Sequence, residues 1–459
     1  MDAESKRNAS SEGGSTVVGA ALNLTNAIVG AGCVGLGGAL AQSGGGASLL
    51  MIGLVAILSK MSFDMLIELG LLLSSRATTS SSFVDDPSFE AVGKASLGDL
   101  GVAAVTFGKG FFSFGCMVAY IVIVKDNVAP ALFSLTGWPI LSNAQCLTIV
   151  LATFAILPMC LQKDLSALEN LSKLKIATYG GIAAVVIRLY LQNVHGDEGG
   201  ATVSDRQGFF QHWLTVKPGL LPNTGTFLFA FVSQHVVHLV FLSLCPRDRN
   251  LTSFRRVSTL GVVLAASIMV GVGLPVYLTF WEGTSSSMFL LYPASKSAVV
   301  NAARLFLSMG VILTYPMPLF GLRDCLVRLL PTGGDGEMRT MIKTNNILPE
   351  ETTSLIVSGE KIFPSQSHRA STPMLIAPLH AGLTIILWLV SLILALSVPS
   401  LGVVLNVVGC ISGSLIAFLL PGLCWIRLVG WSVLAVFFCI AGTVLGCLGT
   451  YYSLVQLSR

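Results

Sequence analysis

Residues 23–38 read NLTNAIVGAGCVGLGG, and five of the last nine are glycine: Gly30, Gly32, Gly35, Gly37 and Gly38. Glycine weakens a helix interior, yet the segment is otherwise apolar enough to be a helix. A helix that breaks here exposes amide donors at one broken end and carbonyl acceptors at the other. The amides, at the positive end of a helix dipole, suit a carboxylate, and the carbonyls suit a cation. Gly30, Ala31 and Gly32 would let a ligand approach the backbone closely. The competing reading is a small-residue face for tight helix packing. Asn23, Thr25 and Asn26, one or two turns earlier, favour a site, because polar groups at membrane depth are costly unless used.

Other groups with possible chemistry lie further on. Lys60, Asp64 and Glu68 recur every four residues, on one helix face. Opposite charges at that spacing pair well, so a buried ion network is a simpler reading than a proton relay. His235 and His238 stand one turn apart. They lack a third ligand nearby, so no metal is expected. His235 can either pack or titrate near neutral pH and link function to protons. Lys109 is expected to snorkel to a membrane edge, and Lys125, Asp126 and Arg304 to form interfacial pairs. The ten cysteines show no metal-ligand spacing and read as small core hydrophobes. No HExxH, GxSxG or Walker A sequence is present, so neither an enzyme nor an ATP-driven pump is expected.

These groups need a frame, and composition supplies it. The chain has 459 residues, 53% of them hydrophobic and 11% charged, with a mean hydropathy of +0.78. Soluble domains carry about 25% charged residues, so this chain belongs in a lipid bilayer. A net charge of +4 gives no reason to expect nucleic acid as a partner. Apolar runs place eleven all-α spans near 17–40, 47–70, 100–130, 143–160, 173–192, 222–245, 257–281, 297–320, 374–396, 400–426 and 430–455. With the N-terminus cytosolic, eighteen Lys and Arg fall on the cytosolic side and four on the other. The positive-inside rule therefore puts the C-terminus outside the cell or in a lumen.

The expected organisation is a short cytosolic tail (1–16), five spans (17–192), an outer loop (193–221), three spans (222–320), a cytosolic loop (321–373), two spans (374–427) and a last span with an outer C-terminus (428–459). The N-x-S/T matches at Asn8, Asn23, Asn170 and Asn250 all fall in cytosolic or membrane segments, so N-glycosylation is not expected.

The first-span stretch NLTNAIVGAGCVGLGGAL resembles the first-helix signature of the amino acid/auxin permease family, in particular its sodium-coupled neutral amino acid transporter branch. Five further segments agree in order: PSFEAVGKASLGDLG (87–101), FSFGCMVAYIVIVKD (112–126), FLFAFVSQHVVHLVFLSL (227–244), RLFLSMGVILTYPMPLFGLRD (304–324) and VPSLGVVLNVVGCISGSLIAFLLPGL (398–423). The resemblance implies a polytopic LeuT-like fold of eleven helices, with a 5+5 inverted repeat. It also implies a break in helix 1, possibly one in helix 6, and a substrate site near mid-membrane between them.

Carried over residue by residue, the resemblance implies that Asn26 and Thr314 help bind a cation. It likewise implies that Gly30, Ala31 and Gly32 cradle the substrate carboxylate, and that Phe231, Ser233 and Gln234 face the substrate. The chain departs from the pattern at Gly37, where Pro or Ser is common, and at Ser233-Gln234, where Cys-His is common. It also departs at Ile312, where the family often has a hydroxyl that sodium coupling would use.

The implied function is secondary active transport of small neutral amino acids by alternating access, coupled to Na+ or H+, with no cofactor. The implied setting is a plasma membrane or a vacuolar or lysosomal membrane; the sequence leaves the oligomeric state open, with a monomer plausible. The alternative is a membrane amino acid sensor that signals to cytosolic partners; the short N-tail argues against it.

Overall fold

The computed structural model describes residues 14–78, 88–161, 171–195, 213–292, 298–329 and 377–457. The N-tail up to residue 13, most of loop 193–221 and nearly all of loop 321–373 lie outside the described residues. The described chain is helical, with a lone parallel bridge between Ser15 and Leu244.

In chain order the helices are α1 (Val17–Ile28), α2 (Ala31–Ser43), α3 (Gly45–Thr78), α4 (Phe89–Leu97), α5 (Asp99–Thr136), α6 (Ala144–Leu161) and α7 (Leu171–His195). They continue with α8 (Thr224–Phe231), α9 (Val237–Leu242), α10 (Leu251–Phe280), α11 (Ala298–Thr314), α12 (Pro316–Leu329), α13 (Ala377–Ser397), α14 (Leu401–Leu428) and α15 (Val433–Leu457). Among the described residues, nine helices are long and apolar enough to cross a membrane. The bent pair α1 and α2, counted as one span, makes ten. Helix α7 has 25 residues and is less apolar, because Lys173, Lys175 and Arg188 interrupt it.

Two features set the geometry of the centre. Helix α5 runs for 38 residues, about 57 Å at 1.5 Å per residue, well beyond a hydrocarbon core of about 30 Å. Its middle, from Cys116 to Val124, is buried throughout, so it forms the axis against which α11, α12, α13 and α14 pack. The short α4 leads into it: Ser88 caps α4 by accepting from the Ala91 amide at 3.1 Å, and Gly98, at φ 64°, turns the chain into α5.

The glycines of the first span meet different neighbours. Added Cβ atoms would run into Ala230 of α8 from Gly32, Leu405 of α14 from Gly35, Val276 of α10 from Gly37, and Ser286 of the loop after α10 from Gly38. Helix α2 is thus encircled, and small residues let four elements close on it. Only Gly30 sits in the interruption itself. At the C-terminal end of α2, the loop at Trp213–Leu221 clasps the α2–α3 corner. Lys217 Nζ donates to the Ala41 carbonyl at 2.9 Å, and Gly44, at φ 92°, leaves room for the Thr215 carbonyl.

Several charged residues are placed otherwise than expected. Lys109 does not snorkel; its ammonium pairs with Glu90 of α4 at 2.5 Å. Lys125 donates to the carbonyls of Ala395 and Val398 at the end of α13, and no described ion pair joins it to Asp126. Arg304, 2% exposed, holds the loop after α10 through the Phe289 and Tyr292 carbonyls at 2.5 and 2.8 Å, not through a carboxylate. A single guanidinium satisfies several carbonyls that a tight loop leaves without helical partners.

Lys60 and Asp64 pair at 2.6 Å, Asp64 accepts from Ser258 at 2.7 Å, and Glu68 meets Arg255 at 3.5 Å. These contacts tie α3 to α10, which is what an ion network does.

Candidate functional site

The first span is interrupted at Val29–Gly30, and its halves meet at 58°. Helix α1 ends with Val29 N–H donating to Thr25 at 2.8 Å. Helix α2 starts at Ala31, so the Ala31 and Gly32 amides have no intrahelical acceptor, and the Cys33 amide turns back to the Gly30 carbonyl at 3.1 Å. Two oppositely charged dipole ends therefore face each other across two residues, Val29 and Gly30.

The polar residues before the break divide. Asn23 is exposed, and the Thr25 hydroxyl donates to Ala21 and, at 3.2 Å, to Gly261 of α10. Asn26 alone reaches the break. Its Oδ1 has no partner, and its backbone carbonyl accepts from Lys175 Nζ of α7 at 2.9 Å.

The sixth span is interrupted as well, without glycine or proline in its middle. Helix α8 stops at Phe231, Val232 and Ser233 leave helical geometry, Gln234–Val236 makes a 3-10 turn, and α9 follows. Gln234 explains how this happens. Its Oε1 accepts the Ser233 amide at 3.1 Å, replacing the helical acceptor that the break removes, and its Nε2 reaches Ser62 of α3 at 3.5 Å. The Ser233 hydroxyl is fully buried and has no partner.

The two interruptions touch. A Cβ at Gly32 would lie 2.6 Å from Ala230 Cα, so the amide end of α2 rests on the last turn of α8. Phe231 beside it is fully buried. Tyr120 of α5 completes the place: its hydroxyl oxygen lies 3.8 Å from a Cβ built at Gly30 and close to the Thr314 side chain. Thr314 spends its proton on the Gly310 and Val311 carbonyls, which leaves oxygen lone pairs to accept. Between α5, α7 and α11, Tyr120, Lys175, Thr178, Tyr179, Val311 and Thr314 line a cavity about the size of one water.

The structure thus brings Gly30, Ala31, Gly32 and Phe231 together at one junction, and Asn26 and Thr314 around Lys175. Gln234 turns towards Ser62 of α3 instead, and the buried Ser233 hydroxyl makes no hydrogen bond. His235 packs on Phe112 with ring centroids 5.3 Å apart, on the side of Lys109 and Glu90. Among the described residues no group of His, Cys, Asp or Glu could hold a metal.

Sequence reasoning missed Lys175 and Tyr120. Lys175 was countable only as a topology charge near a span end, and Tyr120 as one more aromatic in an apolar run. The signal for Lys175 was its place inside the fifth apolar segment with no acidic residue one turn away.

A family model described as transmembrane amino acid transporter protein matches residues 13–458. The chain belongs to this transmembrane amino acid transporter family. The transporter is 23% identical over 361 residues to a Danio rerio protein named sodium-coupled neutral amino acid transporter 11, covering 77% of this chain and 75% of that one. It is 23% identical over 406 residues to Vacuolar amino acid transporter 2 of Saccharomyces cerevisiae, covering 87% and 74%. Among solved structures, it superposes on a manganese transporter of Eremococcus coleocola with a TM-score of 0.48 and 13% identity, over 96% of this chain and 86% of that one. The family and the two named amino acid transporters make this a transporter, not an enzyme.

Proposed function

We propose that the transporter moves small neutral amino acids by alternating access, with the substrate bound where the first and sixth spans are interrupted. The carrying observation is the contact of Gly32 with Ala230, which places the free Ala31 and Gly32 amides at the second interruption. A zwitterion's carboxylate suits those amides and the Tyr120 hydroxyl. Among the described residues, the side chains nearest Gly30 and Gly32 are Tyr120 and Ala230, neither of them charged, which favours neutral substrates. Gln234 then acts as a spacer holding the second break open, and His235 as a packing residue against Phe112.

Counting α7 as the fifth span gives eleven. Interruptions in spans one and six, five spans apart, are the spacing of a 5+5 inverted repeat. With the charge asymmetry read above, the N-terminus is cytosolic and the C-terminus lies on the outer or lumenal side. The relatives' names allow a plasma membrane or a vacuolar one.

The test is equilibrium binding of labelled alanine, lysine and glutamate to the purified protein. Saturable binding of alanine alone supports the proposal. Binding of lysine or glutamate alone refutes the neutral class.

A further inference from the structure

We infer that the Lys175 ammonium fills the cation place at the broken first span, so that the transporter works without sodium. This rests on reading the break as the substrate site.

The carbonyl end of a broken half-helix carries the negative end of its dipole and attracts a cation. Here that end is already taken: the Asn26 carbonyl accepts from Lys175 Nζ at 2.9 Å. The same side chain lines a cavity with Thr314, the hydroxyl residue placed opposite the break by α11. Lys60 and Lys109 each pair with a carboxylate, whereas no described carboxylate pairs with Lys175. Its ammonium is therefore committed to uncharged oxygen, as a coupling cation would be.

Charge weakens the place for sodium further. A sodium ion about 4 Å from the ammonium would bind roughly a thousandfold more weakly, from like-charge repulsion at an effective dielectric near 20. Lys175 stands on α7 and reaches the first span across a flexible stem, so one side chain supplies both the charge and a tether between the two helices.

The test compares thermal unfolding of the full-length purified protein in sodium chloride and in choline chloride at equal ionic strength, without amino acid. The wild type is expected to show the same Tm in both. Lys175→Ser, which frees the carbonyl and adds a hydroxyl, is expected to gain a sodium-specific rise of about 2 °C or more. Wild-type uptake of labelled alanine into proteoliposomes is expected to run at the same rate in either salt.

A sodium-specific Tm rise in the wild type, or several-fold faster wild-type uptake in sodium, overturns the inference, and neither depends on the variant folding. A folded Lys175→Ser with no sodium response also overturns it. The thermal arms contain no amino acid, so they judge Lys175 whatever the solute. Absence of alanine uptake in both salts counts against the amino acid reading alone.

Discussion

Gly32 of the first span lies directly on Ala230 of the sixth, too close for any side chain between them. The contact joins two interrupted helices at the point where each has lost its regular hydrogen bonds. Gly32→Ala should therefore act on structure and site together. Forcing a methyl into this contact costs about 1–3 kcal/mol and separates the amide cradle from α8. Lower Tm together with lost alanine binding is the expected result. Unchanged values of both would mean that the helices are not in contact.

Tyr120→Phe isolates the hydroxyl that points at Gly30. The ring stays packed in a buried wall of α5, so Tm should hardly change. A hydrogen bond to a charged carboxylate contributes about 1.5–3 kcal/mol, so alanine affinity should fall roughly ten- to hundredfold. Wild-type affinity in this variant would remove Tyr120 from the site.

Asn406 of α14 holds a buried amide network between α8 and α14. Its Oδ1 accepts from the Thr226 amide at 2.9 Å and the Thr226 hydroxyl at 2.7 Å, and its Nδ2 donates to Asn223 at 3.2 Å. Asn223 in turn donates to Gln42 of α2 at 2.9 Å. Asn406→Leu leaves the Thr226 amide and hydroxyl without their acceptor and Asn223 Oδ1 without its donor, at about 1–3 kcal/mol for each buried group left unsatisfied. Chemical denaturation should show that loss, and an equally stable variant would argue against the network.

Asp64→Asn separates an ion network from a proton relay. Removing the charge weakens the bonds from Lys60 and Ser258, at roughly 1.5–3 kcal/mol. The expected outcome is a lower Tm and an unchanged pH profile of uptake. A shifted pH profile with normal stability would instead favour a relay.

What could be read beforehand followed from chemistry that is local in the chain. The break in span one was legible because Gly30-Ala31-Gly32 weakens helix where apolar neighbours demand it. The roles of Gly35, Gly37 and Gly38 were not, because what they accommodate comes from α14, α10 and a distant loop. The interruption after Phe231 lacked a glycine or proline signal; it depends on the Gln234 side chain capping the Ser233 amide, a contact no propensity encodes. The π-helical turns at Gly409–Gly413 and Leu415–Leu419 of α14 were likewise unannounced. The first lies where the Gly225 and Gly409 backbones cross in contact, a tertiary constraint. Lys175 was hidden because its partner is a backbone carbonyl 149 residues away.

The most direct test of the whole account is uptake of labelled alanine into proteoliposomes containing the purified protein, with Tyr120→Phe as the site control. The account predicts saturable wild-type uptake, competed by other neutral amino acids and not by lysine or glutamate, and markedly weaker uptake in the control. Folded wild-type protein that takes up no neutral amino acid, or a control that matches it, would contradict the placing of the substrate at the two interruptions.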